Sequence, residues 1–260
     1  MMTVLETVVV FPPKGVFSGK AANCKGSSVG AVSLSGIYQS TTSEAKKMVK
    51  MISRLKKALV FSAVMFVGFA MPLSAAEFDG DTTPKLEGAQ LIDALKSGGY
   101  VIYIRHALTD KVGEKTVTAD QLDKCDTQRN LSEAGREMAK SIGEGFKKNN
   151  IPVGDVFSSP YCRCVDTAKL AFGKATKSDN LHFAIHLPKE NRHEDAKKLR
   201  DMMAILPAPG TNTVLVSHTA NLQEAVGIWP KHEGEANVFK ADASGNISYI
   251  GKISVEDWAM

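Results

Sequence analysis

No stretch of this chain offers the roughly 20 consecutive apolar residues that a membrane-spanning helix needs, and no internal repeat or low-complexity tract interrupts it. Paired metal-ligand spacings are missing as well. The four cysteines are Cys24, Cys125, Cys162 and Cys164, and a Cys-x-Cys with one distant cysteine lacks the paired spacing of a zinc site. Residues 77–260 hold no Lys/Arg-rich run; their 23 Lys/Arg face 26 Asp/Glu, a balance of −3, which argues against nucleic-acid binding. With 43% hydrophobic residues, the 260-residue chain has enough for one sizeable core and too little for two full domains.

The basic charge is confined to the start, where residues 1–76 carry nine Lys/Arg and two Asp/Glu. Arg54, Lys56 and Lys57 precede an apolar run from Ala58 to Met71, followed by Pro72 and the small residues Ser74-Ala75-Ala76. That is the charged, apolar and small-residue order of a secretory signal, cut after Ala76. The division predicted is therefore an upstream extension over 1–50, a signal peptide over 51–76 and one domain over 77–260. Met1, Met48 and Met51 all stand as possible starts. The expected location is periplasmic or secreted, with no stable membrane span after cleavage. An oxidising compartment leaves Cys125, Cys162 and Cys164 as one disulfide and one thiol.

From residue 77 onward, helical and strand patterns alternate. Leu86–Lys96 puts Leu86, Ala89, Leu91, Ile92 and Leu95 largely on one face and stops at Ser97-Gly98-Gly99, which predicts a helix. Tyr100–Ile104 is a buried strand and 107–130 a polar loop. A helix capped by Ser132 runs to Lys148, a strand spans Val153–Phe157, and a helix follows from Tyr161 to Phe172 with Pro160 in its first turn. A weaker strand is expected at Leu181–Ile185, a helix at Asn191–Leu206, a strand at Thr213–Val216 and a helix from Thr219 to Gly227. The tail forms strands at Ala236–Phe239 and Ile247–Ile253. The fold predicted is a three-layer α/β sandwich, a mainly parallel central sheet with helices on both faces.

In such a sheet ligands gather beyond the carboxyl ends of the strands. Three strands end there in Arg105-His106, in Ser158-Ser159-Pro160-Tyr161-Cys162-Arg163 and in Ser217-His218. Two arginines, two histidines and a helix N-terminus on one rim suit a dianion, since guanidinium forks match phosphate oxygens. A histidine beside such charges has a depressed pKa and keeps one nitrogen free as a nucleophile.

Arg105-His106-Ala107-Leu108-Thr109 resembles the first signature of the histidine phosphatase superfamily, which includes phosphoglycerate mutases, acid phosphatases and phytases. Ser158-Ser159-Pro160 with Arg163, Thr167 and Ala168 resembles the second motif, and Val216-Ser217-His218 with Asn221 and Leu222 the third. Asn130-Leu131-Ser132-Glu133-Ala134-Gly135 resembles the family's helix start. Ala107 stands where the family usually has glycine. The resemblance implies a phosphoglycerate mutase-like fold, a small exported bacterial-type branch, and His106 as nucleophile of a phosphohistidine pathway. It implies Arg105, Arg163 and His218 as phosphate ligands, Arg129 at the mouth, and no metal or organic cofactor. The general acid stays open. Thr219 stands where the phytase branch has its acid; the mutase branch has a glutamate in the segment holding Glu190, Glu194 and Asp195, and His232-Glu233-Gly234-Glu235 is a third option, with Glu235 favoured and then Glu190. A disulfide from Cys125 to Cys162 or Cys164 would tie the 107–130 loop to the pocket.

The function expected is an exported, metal-independent phosphomonoesterase acting on a small phosphorylated substrate. The alternatives are a lipopolysaccharide-core heptose phosphatase and a non-catalytic phosphate- or phosphoprotein-binding module. A mutase is less favoured, because phosphoglycerates are cytoplasmic. His182, His186, His193 and His232 are expected at the surface, Glu133, Glu137, Lys140 and Lys147 on a solvated helix face, and Trp229 and Trp258 in the packing.

Overall fold

A computed structural model describes residues 76–110 and 117–259. The proposed extension and signal peptide, Ala76 apart, lie outside the described residues. Among the described residues five helices, α1 (Gly88–Leu95), α2 (Glu133–Lys148), α3 (Cys162–Phe172), α4 (Arg192–Met203) and α5 (Thr219–Val226), accompany seven strands. The strands are β1 (Glu77–Phe78), β2 (Val101–Arg105), β3 (Val153–Ser158), β4 (Thr176–Lys177), β5 (Asn212–Ser217), β6 (Ala236–Ala241) and β7 (Asn246–Ile253). They form one sheet in the order β1-β7-β6-β2-β5-β3-β4. None of these helices is long and apolar enough to cross a membrane.

The period-two alternation of the strands builds both faces. Ile102, Ile104, Val214, Val216 and Val238 point into a core closed by Leu91 and Leu95 of α1, Ile142 and Phe146 of α2, Ala168 of α3, and Trp258. Their neighbours Val101, Tyr103, Leu215 and Phe239 point the other way, against Leu199 and Met203 of α4 and Leu222 and Val226 of α5. Because β2 and β5 are buried on both sides, they read in sequence as continuous apolar runs. The expected sandwich is present, with α1, α2 and α3 on one face and α4 and α5 on the other.

The sheet is mostly parallel, but β6 pairs antiparallel with both β2 and β7. The short connection Asp242–Gly245 leaves no room for a crossover, so β6 and β7 form a hairpin. Other boundaries differ by one to three residues, and some expectations failed. Leu181–Ile185 is not a strand but two 3₁₀ turns, Asp179–Leu181 and Ala184–His186. The place beside β3 belongs to β4, and the Asn221 side chain binds the backbone there, accepting from Ala184 N (3.2 Å) and donating to the His182 carbonyl (2.6 Å). Pro160 precedes the N-cap Tyr161 and is not in the first turn of α3. Trp258 packs against Phe146, ring centroids 4.6 Å apart. Trp229 does not pack; it is 57% exposed on the segment leaving α5.

Candidate active site

The strand order places β2, β5 and β3 side by side, so their carboxyl ends adjoin. Arg105 pairs with Ser217, and Ser158 with Val216. His106 N donates to the Ser217 carbonyl at 3.0 Å and Ser159 N to the Val216 carbonyl at 2.8 Å, which extends the ladder into the motif residues. His106, Arg163 and His218 are buried, at 5%, 1% and 1% exposure. The two imidazole rings stand edge to face with centroids 5.5 Å apart. Arg163 Nη2 lies 3.2 Å from His218 Nδ1.

The hydrogen bonds assign the tautomers. His106 Nδ1 is 2.9 Å from the Ala107 carbonyl oxygen, which only accepts, so Nδ1 carries the proton and Nε2 keeps its lone pair. Arginine only donates, so His218 Nδ1 is the acceptor and its Nε2–H donates to Ser159 Oγ at 2.8 Å. Tyr103 Oη holds the His218 carbonyl from behind at 2.7 Å. The Ala107 N–H donates to Thr167 Oγ1 at 3.0 Å. Among the described residues Asn150 is the only non-glycine with positive φ, so Ala107 sits in a backbone conformation open to any residue. The following carbonyl, Leu108, lies against α2, where a Cβ on Gly135 would stand 1.8 Å from its oxygen. Glycine in the helix start therefore lets the loop behind His106 close down.

Burial first, and then the Arg163 guanidinium, push both His106 and His218 well below the ordinary 6.5. Arg105 and Arg129 add to the effect on His106. The imidazoles are thus neutral in the fold and take up protons on unfolding. Stability contributed this way is complete above about pH 6.5 and falls as pH drops below it, by up to about 1.4 kcal/mol per pH unit for each histidine. Urea unfolding at pH 7.5 and 5.5 should show a lower midpoint at the acidic pH, and an unchanged midpoint would contradict these neutral states.

Arg105, Arg129 and Arg163 surround the pocket, and the carboxylate among them is that of Glu233. Its Oε1 accepts from Thr109 Oγ1 (2.8 Å) and Arg129 Nη2 (3.1 Å), and lies 3.7 Å from Arg105 Nη2. Arg105 Nη1 is anchored on the Pro230 (3.2 Å) and Lys231 (3.0 Å) carbonyls. Glu235 is buried, but its carboxylate accepts from Asn237 Nδ2 at 3.2 Å within β6. The reason is Gly234, whose φ of 82° breaks the strand alternation and whose N–H is drawn to the Arg105 and His106 carbonyls. Glu235 is thus held by Asn237 while its charge still acts on Arg105, and Glu233, two residues earlier, makes the direct contacts to Thr109, Arg105 and Arg129. Glu190 and Glu194 are exposed, and Glu194 and Asp195 pair with Lys198.

Ser159 and Thr167, both in the second motif, orient His218 and hold Ala107, whereas Phe183 carried no sequence signal. The Arg163 guanidinium lies 4.9 Å from the Tyr161 ring and 5.3 Å from the Phe183 ring, two rings that meet edge to face, and Phe183 also lies 4.5 Å from the His218 ring. His186, expected at the surface, is half-buried with Nδ1 2.7 Å from Tyr161 Oη; His182 is half-buried too, its ring 5.2 Å from that of Tyr161. His193 and His232 are exposed. The N-terminal amide of α3 does not face an anion, because Cys162 N donates to Gln128 Oε1 at 3.0 Å.

The disulfide joins Cys125 to Cys162, and Cys164 is the buried free thiol. It ties the segment that carries Gln128 and Arg129 to the start of α3, beside Arg163. Closing a loop over a sequence separation of 37 stabilises the fold by about 3–4 kcal/mol through the unfolded chain. Cys125→Ser should lower the urea midpoint by a corresponding amount. In a chain beginning at Glu77, unfolding without reductant should expose one titratable thiol; three would contradict the bond.

Residues 101–182 match the model of the histidine phosphatase superfamily (branch 1), a span that contains His106 and Arg163. No curated protein gives a significant match. Solved structures similar to this chain include the protein histidine phosphatase SixA complexed with tungstate, at 14% identity, covering 61% of this chain and 98% of that one, TM-score 0.43. Phosphoserine phosphatase from Entamoeba histolytica in complex with 3-phosphoglyceric acid is 15% identical over 61% and 98%, TM-score 0.44. A mycobacterial glucosyl-3-phosphoglycerate phosphatase is 18% identical over 54% and 89%, TM-score 0.38. Likenesses this distant say nothing of this chain's substrate. The likeness to the histidine phosphatase superfamily is thus carried by residues 101–182, a part of this chain.

Proposed function

We propose that this chain is an exported phosphomonoesterase that works without a metal, through a phosphohistidine on His106. The observation that carries the reading is a buried, neutral His106 whose Nδ1 is bonded to the Ala107 carbonyl, so that Nε2 keeps its lone pair, with the charges of Arg163, Arg105 and Arg129 acting on it and the His218 ring 5.5 Å away. Three permanent positive charges supply the stabilisation that phosphoryl transfer asks for. In the first step Nε2 forms a bond to phosphorus and the ester P–O bond breaks; the electron pair leaves with the oxygen, which takes a proton from water. In the second, water attacks phosphorus, the P–N bond breaks, and inorganic phosphate leaves with His106 restored.

Export rests on the signal-like order of residues 51–76 and agrees with a disulfide beside the pocket. The test is hydrolysis of p-nitrophenyl phosphate by the purified protein with and without EDTA. Equal rates support the proposal; activity that EDTA abolishes and added metal restores contradicts it. Binding of inorganic phosphate with no turnover of any ester would favour a binding module of the same fold.

A further inference from the structure

Among the described residues, Glu233 is the carboxylate in direct contact with Thr109, Arg105 and Arg129, and the charge of Glu235 also acts on Arg105. The side chain is fixed from both oxygens, with Oε1 accepting from Thr109 Oγ1 at 2.8 Å and Oε2 from Thr109 N at 3.3 Å. Oε1 also meets Arg129 Nη2 at 3.1 Å, Arg105 Nη2 at 3.7 Å and the Nδ1 edge of His106 at 3.8 Å. Every one of these neighbours is a donor. A carboxylate, which only accepts, matches that shell, whereas a protonated carboxyl would set its own O–H against N–H groups. Its closest approach to His106 is at Nδ1, whose proton already goes to the Ala107 carbonyl, and Nδ1 is not the nitrogen that attacks.

We propose that Glu233 is the counter-ion of His106, a positioning residue that holds the Arg105–Arg129 pair in place and offsets the positive charge the imidazole acquires on phosphorylation. The proposal rests on the reading of His106 as nucleophile. When Nε2 bonds to phosphorus, the ring keeps its Nδ1–H and becomes a cation. That cation faces Arg105 beside it, Arg129 from the loop, Arg163 from α3 and His218 from the end of β5; Glu233, just before β6, is the anion that opposes them. A proton donor to the leaving group would do something different, since it would matter for poor leaving groups and little for good ones.

Glu233→Gln keeps the size of the side chain and removes the charge. Its kcat should fall by about 100-fold, the order that one opposite charge at this range contributes at an intermediate dielectric. The factor should be the same for p-nitrophenyl phosphate and for glycerol 2-phosphate. In histidine-labelled protein followed by NMR, His106 should titrate at a lower pH than in the wild type, while Glu233→Asp should lie between the two. Undiminished kcat on both esters would overturn the proposal, and so would a loss confined to the alkyl ester, which identifies a proton donor. Should wild type turn over neither ester, the function reading fails and the titration alone decides: an unchanged His106 overturns the counter-ion, a lowered one sustains it. Should Glu233→Gln not fold, Glu233→Asp carries the test, with a partial loss equal on both esters expected and none, or one limited to the alkyl ester, overturning it.

Discussion

His106→Ala should abolish hydrolysis of p-nitrophenyl phosphate, a loss of about 10⁴-fold or more, while inorganic phosphate still binds. Among the described residues the other pocket histidine is not an equivalent nucleophile. His218 Nδ1 already accepts from Arg163, and its Nε2–H is committed to Ser159. Removing one member of a nucleophilic unit costs nearly all that the unit contributes. Binding should persist because Arg105, Arg129 and Arg163 keep their charges and the truncated ring only enlarges the space. Phosphate binding by calorimetry beside the rate assay separates the outcomes: lost turnover with kept binding supports the nucleophile, whereas appreciable residual turnover contradicts it.

Arg163→Ala comes second, with kcat/KM expected to fall by about 10³-fold, the scale of one preorganised charge at a developing phosphoryl transition state. Arg163 is 1% exposed, and its guanidinium touches His218 Nδ1 at 3.2 Å and lies 4.9 and 5.3 Å from the Tyr161 and Phe183 rings. Its removal deprives the anion of a fork and His218 of the donor that fixes its tautomer. Arg163→Lys should recover little, because an ammonium cannot reproduce a planar fork packed against aromatic rings. Arg163 is also the leading electrostatic cause of the lowered His106 pKa, after burial. Its loss should therefore move the acidic limb of the kcat/KM profile to higher pH. A profile with an unmoved acidic limb would contradict the placement of that charge.

The strands and the convergence of the motifs were legible because they depend on local pattern. Tyr100–Ile104 and Thr213–Val216 are apolar runs buried on both faces, and an arginine or histidine directly after such a run must emerge at the strand end. Ser132 and Gly135 were legible because a cap and a close approach each demand a particular residue type. The contacts of Glu233 were not legible because they depend on one backbone turn. Glu233 and Glu235 are two apart and would share a face in a regular strand, and only the positive φ of Gly234 sends them to different partners. Leu181–Ile185 looks β-prone, but a distant side chain, Asn221, takes its backbone groups. Trp229 reads as a core residue by type alone, although it follows the C-cap Gly227 on a segment that the core does not cover.

The central claim is that His106 carries the phosphoryl group. Mixing the protein with p-nitrophenyl phosphate, quenching in base and mapping the adduct by mass spectrometry tests it directly, since the P–N bond of phosphohistidine survives base and is cleaved by acid. The account predicts one phosphoryl group on the peptide containing His106, lost on acid treatment and absent from His106→Ala. Steady turnover with no adduct on that peptide, or an adduct on another residue, would contradict it.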